Sequence, residues 1–230
     1  MAAASLVERA RHAVNTHELD LAQQFYRRAL EATPGDASLM DEAAELLLQV
    51  NQPEDAKQLL TRSAELAPDA GAGKFLYLAQ LSEGQSALGL YKKALRLLRR
   101  DLVRARRRHA RGEEEAEEDV AMLQQQLCTS LVSVAELFMT DLCFQVGAEE
   151  ACQVALDQAM APDVDYGGPE PVQALASLRL CQQRPEDALP LAKESFRRLR
   201  ACEPPPDYEF RVSTAKLLFE CSDISIDCLD

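Results

Sequence analysis

Apolar and small residues recur along this 230-residue chain at the spacing of helix faces, and runs of β-branched residues are missing. An all-α fold follows. The breaks between faces divide the chain into helical hairpins. The first is expected over about 2–33 with a turn at Thr16-His17-Glu18, and the second over about 37–67 with a turn at Asn51-Gln52-Pro53. The third begins near Ala70 and turns at Ser82-Glu83-Gly84-Gln85. The fourth pairs a helix through Ala135–Gln145 with one over Glu149–Met160, turning at Val146-Gly147-Ala148. DVDYGGPEP (163–171) reads as a loop, since Gly167, Gly168, Pro169 and Pro171 oppose helix there. A fifth hairpin follows, with Pro190 placed in the first turn of its second helix. Pro204-Pro205-Pro206 then breaks the chain before a last helix, about Tyr208–Glu220, that reads as a cap. SDISIDCLD reads as a frayed acidic tail.

Two of these hairpins carry the same punctuation one period apart. LDLAQQFYRRALEATP holds Ala22, Tyr26, Ala29 and Pro34, and PEDAKQLLTRSAELAP holds Ala56, Leu60, Ser63 and Pro68. Ala22 to Ala56 and Pro34 to Pro68 are each 34 residues, the period of the tetratricopeptide repeat. The small residues let helix backbones approach, Tyr26 and Leu60 fill the space between hairpins, and each proline follows a helix that it cannot continue. Pro53 falls at a first helical position, where its missing N–H costs nothing. QRPEDALPLAKESF repeats this chemistry, with Ala188 in the place of Ala56. Ala56 to Ala87 is only 31 residues, so the first helix of the third hairpin is expected about one turn short. The sum is a right-handed superhelix of five hairpins and a cap, one solenoid over 1–222 with a tail at 223–230. Such stacks present extended concave surfaces that bind other chains.

The second helix of the third hairpin does not stop on schedule. Residues 92–111 hold ten Lys or Arg and one Asp, and Glu113–Asp119 holds six acids. This predicts a charged helical insertion, about 96–125, broken at Gly112. The net charge of −13 is thus an underestimate for the solenoid proper. A surface this acidic repels nucleic acid and anionic membrane and attracts basic proteins. Within the insertion, Arg99–Arg111 is open to three readings: a solvated helix extension, a signal for a nuclear import factor, or a nucleic-acid contact. Missing aromatics and the acidic run alongside favour the first.

Seven cysteines, an odd number with no C-x-x-C pair, are expected as free thiols in apolar helical settings of a reducing compartment, cytosol or nucleus. His12, His17 and His109 have no cysteine at ligand spacing, so no zinc site is expected. Phosphate-binding glycine motifs and nucleophile elbows are missing, and carboxylates on an acidic helical surface are usually solvated. Neither an enzyme nor a cofactor is expected. Glu8, Arg9, Arg11 and His12 interrupt the first helix, which argues against a signal peptide, and no apolar run reaches membrane-spanning length.

Three stretches are more specific than the repeat: AELFMTDLCFQVGAEEAC (135–152), LASLRLCQQRPEDALPLAKESF (175–196) and YEFRVSTAKLLFE (208–220). Together with KFLYLAQLSEGQSALGLYKKAL (74–95) and the charged insertion, they resemble the family of dedicated assembly chaperones of large-subunit ribosomal protein L4. That family tends to carry a longer acidic tail than the one ending here. The resemblance implies a monomeric chaperone, cytoplasmic and nuclear. It would hold the internal loop of newly made ribosomal protein L4 in an acidic groove and escort it to nuclear pre-60S assembly. Basic extensions of that kind are disordered and aggregation-prone when free.

Projecting the helical period onto the first helix of each hairpin nominates Glu8, Asp41, Glu42, Glu45 and Glu83 for the groove, and Phe138, Asp141, Phe144, Gln145 and Gln173 further on. Phe138 and Phe144 read as core before contact. A generic repeat scaffold and a co-chaperone adaptor are the alternatives. An adaptor that clamps an acidic C-terminus needs Lys, Asn and Arg in the groove. Val7, Arg11, Glu42, Ala72 and Leu76 stand at those places, and only Arg11 has that character.

Overall fold

The computed structural model describes residues 3–227, with side chains from Ala3 to Ser222. Among the described residues there are eleven helices and no strand. They are α1 (Ala3–Asn15), α2 (Leu19–Ala32), α3 (Ala37–Gln49), α4 (Pro53–Leu66), α5 (Ala72–Gln80), α6 (Gly84–His109), α7 (Ala116–Met139), α8 (Ala148–Ala159), α9 (Glu170–Cys181), α10 (Pro185–Ala201) and α11 (Tyr208–Asp227). α1 pairs with α2, α3 with α4, α7 with α8 and α9 with α10, and the last helix, α11, packs on α10 and α9. The tail expected over 223–230 lies outside the residues with described side chains.

The chain folds as two compact units, one through Leu97 and one from Leu98. In the first, Ala10, Ala22, Ala29, Ala44, Ala56 and Leu60 are fully buried. Alanine at five of those six positions is what brings the backbones of successive helices together. In the second unit Ala176, Ala188, Ala192 and Cys221 do the same, so that α11 packs on α9 and α10.

The repeat is visible in the backbone as well as in the side chains. His17, Asn51 and Gln183 end the first helices of hairpins one, two and five in the left-handed region, at φ 59°, 58° and 59°. In each case the next amide reaches back to the helix: Glu18 to Ala13 O at 2.8 Å, Gln52 to Leu47 O at 2.8 Å and Arg184 to Arg179 O at 2.9 Å. These bonds satisfy carbonyls that a helix end leaves orphaned. Ser63 Oγ donates to Ala37 O at 3.0 Å, and Ser195 Oγ, at the same repeat position, donates to Pro169 O at 3.1 Å.

α5 has nine residues where α1 and α3 have thirteen, the shortening that the 31-residue spacing predicts. α6 and α7 run for 26 and 24 residues and carry the charged segment. Gly112, at φ 82°, turns the chain between them, and Arg108 ties that turn to Glu113 and Asp119 at 2.8 Å each.

Three expectations are corrected. α7 ends at Met139, not Gln145: Thr140 takes φ −115° and ψ −94°, outside the helical region, and the chain leaves the helix there. Pro190 is the sixth residue of α10, past its first turn. It leaves the Glu186 carbonyl without an amide partner on an exposed face, and the helix continues through it. Cys143 and Cys181 are exposed rather than set among apolar residues, whereas Cys128, Cys152 and Cys221 are buried as expected. Cys228 lies outside the described residues.

Candidate functional site

In the first unit, side chains tie together the first helices of the three hairpins. Arg11 on α1 donates to both carboxylate oxygens of Glu42 on α3, at 2.9 and 2.6 Å. The Tyr26 hydroxyl from α2 donates to the same carboxylate at 3.2 Å. The Arg11 bonds hold Glu42 below the usual carboxylate range. Burial, with Glu42 alongside, pushes Tyr26 up to about 12.

Lys74 of α5, which meets the neighbouring α3 residue Asp41, is buried with 3% of its surface exposed. Its ammonium donates to Ser63 Oγ at 2.8 Å and pairs with Asp41 Oδ2 at 3.2 Å. The other Asp41 oxygen is buried without a hydrogen-bond partner. Glu45 is exposed, and no described side chain pairs or hydrogen-bonds with it. Desolvation, then the nearby Asp41 and Glu42, raise its pKa. Two of the three α3 carboxylates are therefore neutralised from within. Glu8, exposed on α1, and Glu45 are what this face leaves for a cationic partner.

In the second unit, α7, α9 and α11 line a half-open cavity of ≈ 300 Å³, whose walls include Val132, Ser133, Glu136, Met139, Glu170, Gln173, Ala174, Ser177 and Phe210. Most of its polar groups are already engaged. Gln173 accepts from Thr214 Oγ1 at 2.6 Å and donates to Ser213 at 3.0 Å, which locks its amide between α9 and α11. Glu170 accepts the Tyr166 hydroxyl. Arg198 holds the loop that leads into α9, with both oxygens of Asp165 at 3.0 Å and the Gly168 carbonyl at 3.1 Å. A Cβ on Gly168 would run into the Tyr166 ring, so glycine there lets the ring lie against the loop. Glu136 has no such partner. It is exposed at the residue level, yet the protein around its carboxylate desolvates it enough to raise its pKa.

The nominated residues fall into separate groups. Glu8, Asp41, Glu42 and Glu45 lie on α1 and α3 as projected, and Gln173 lies on α9 in the cavity wall. Glu83 follows the end of α5 and sits in the turn before α6, not on a first helix. Asp141, Phe144 and Gln145 lie past the end of α7 in a segment of turns, so a helical projection does not apply to them. Phe144 is fully exposed, against the reading of it as core, and Phe138 is half-buried. Glu136, Lys74 and Phe210 were not nominated. For Glu136 the signal was available: it is the one acid in the apolar run LVSVAELFM. Among the described residues no group of side chains could hold a metal ion, and no helix is long and apolar enough to cross a membrane.

No protein-family profile matches the chain. It is 37% identical over 170 residues to a Schizosaccharomyces pombe protein described as "Probable assembly chaperone of rpl4", covering 71% of this chain and 46% of that protein. An Emericella nidulans protein of the same description is 26% identical over 235 residues, covering 94% of this chain and 56% of that protein. The chain thus spans about half the length of the curated relatives it matches. A solved structure described as an assembly chaperone of RpL4 (Acl4), residues 1–338, superposes with a TM-score of 0.88 at 22% identity, covering 96% of this chain and 85% of that one. With its 34-residue period and its stacked helix pairs, the chain has a tetratricopeptide-repeat fold and is homologous to curated proteins described as assembly chaperones of rpl4.

Proposed function

We propose that this chain is a chaperone, without catalytic activity or cofactor, for newly made ribosomal protein L4. It binds the basic internal loop of that client along the first-helix faces, keeps the client soluble, and escorts it from cytoplasm to nucleus for pre-60S assembly. The observation that carries this reading is the 37% identity over 170 residues to a relative described as an rpl4 chaperone. The net charge of −13 supports it, since an acidic surface attracts a strongly basic client and disfavours direct contact with nucleic acid or an anionic membrane.

The test is capture from lysate with identification of whatever co-purifies at equal stoichiometry. Ribosomal protein L4 is expected one-to-one with a monomer of this chain, and deletion of its internal loop is expected to abolish capture. A heat-shock chaperone or a multi-subunit scaffold in its place, or capture that survives the loop deletion, would overturn the reading.

A further inference from the structure

We propose that the cavity between α7, α9 and α11 is an arginine-accepting subsite, with Glu136 as the anchor of the guanidinium. The inference rests on the client reading above and deepens it, since the arginine belongs to the client segment. Three observations lead to it. The cavity has about the room a long side chain needs, at ≈ 300 Å³. Its walls include Val132, Met139 and Phe210, an apolar surface suited to an aliphatic stem and an aromatic one suited to a planar cation. Its second carboxylate, Glu170, is occupied by Tyr166, and its amide, Gln173, by Thr214 and Ser213. That leaves Glu136 as the lining carboxylate with no internal partner.

Glu136 lines this space with no counter-charge beside it, and a cation there would favour its ionised form. The first unit solves the same problem internally, with Arg11 for Glu42 and Lys74 for Asp41. The second unit supplies no such cation for Glu136. Arginine fits better than lysine because its fork binds both carboxylate oxygens and leaves N–H groups for Ser133 and Ser177, which also line the space. An ammonium is more strongly hydrated and offers no fork.

The probe is N-acetyl-arginine amide, titrated into the full chain and followed by NMR at the Met139 methyl and the Glu136 carboxyl. Saturable shifts at both groups are expected, with binding read at the Met139 methyl at least ten-fold weaker in Glu136→Gln, and several-fold weaker for the lysine and citrulline amides. A second variant, Ser177→Arg, fills the space from within and is expected to abolish the shifts while leaving helicity unchanged. No saturable shift, binding unaltered in Glu136→Gln, or equal binding of the lysine amide would overturn the subsite. Capture of ribosomal protein L4 by the unaltered chain is measured separately. Capture without arginine-amide binding sinks the subsite alone, and arginine-amide binding without capture sinks the client reading alone.

Discussion

Arg11 and Glu42 close a two-point ion pair, at 2.6 and 2.9 Å, that joins α1 to α3 across the face nominated for a basic partner. The guanidinium stands where a client cation would otherwise sit. Arg11→Ala is therefore expected to strengthen capture of a basic client by a few-fold rather than weaken it. The cost in stability is expected to be small, since the Arg11 side chain is exposed to solvent. Conversely, Glu45→Gln is expected to weaken capture more than Glu42→Gln, because Glu45 has no internal partner. Isothermal titration with ribosomal protein L4 at two salt concentrations measures both. Equal losses for Glu45→Gln and Glu42→Gln would show that internal pairing does not govern this face.

Lys74 presents the opposite case, a buried cation between Ser63 and Asp41. Lys74→Ala leaves the Asp41 carboxylate partly buried with no counter-charge, on top of an oxygen already lacking a partner. Breaking such a pair costs on the order of 3–5 kcal/mol, whereas replacing both partners with apolar residues costs far less. Urea denaturation of Lys74→Ala is expected to show that loss, and the double variant Lys74→Met with Asp41→Leu to recover most of it. A small loss in the single variant would mean that water reaches Asp41.

The repeats were legible because their signals are local and recur in phase. Ala22 and Ala56 repeat at 34 residues, prolines follow the second helices, and the 31-residue gap to Ala87 announces a short α5. The site was less so, for two physical reasons. Whether Asp41 or Glu42 is free depends on Lys74 and Arg11, which only folding brings to them. The end of α7 depends on the Thr140 backbone leaving helical dihedrals, which helical periodicity does not register. Running the helix on to Gln145 drew attention to Asp141 and Phe144 and away from Glu136.

Gln183 holds φ 59° between α9 and α10, as His17 and Asn51 do in their own turns. An L-residue other than Asn or Gly is strained in that region by roughly 1–2 kcal/mol. Gln183→Gly relieves the strain at some cost in chain entropy, and a net gain of up to about 1 kcal/mol is expected. Gln183→Val, whose branched side chain tolerates the region poorly, is expected to lose more than about 1 kcal/mol. Thermal melting of the two variants decides it, and melting in the reverse order would mean that the turn does not hold this conformation.

Thiol accessibility offers a readout spread over the second unit. Burial pushes Cys128 up to about 12 and Cys152 to about 11, and desolvation also raises Cys221. At pH 8 Cys128 and Cys152 are thus almost wholly protonated, and the thiol is far less nucleophilic than the thiolate. Cys143, in the turns after α7, and Cys181, at the end of α9, are exposed. Iodoacetamide at pH 8 is expected to modify Cys143 and Cys181 at least ten-fold faster than Cys128, Cys152 and Cys221, as read by peptide mass spectrometry. Raising the pH to 9 increases the thiolate fraction of Cys128 and Cys152 about ten-fold but leaves it a minor species, so these two are expected to stay slower than the exposed thiols unless the helices open. Rapid labelling of Cys128 under native conditions would show that α7 and α8 separate readily, and would place local opening rather than burial in control of this unit.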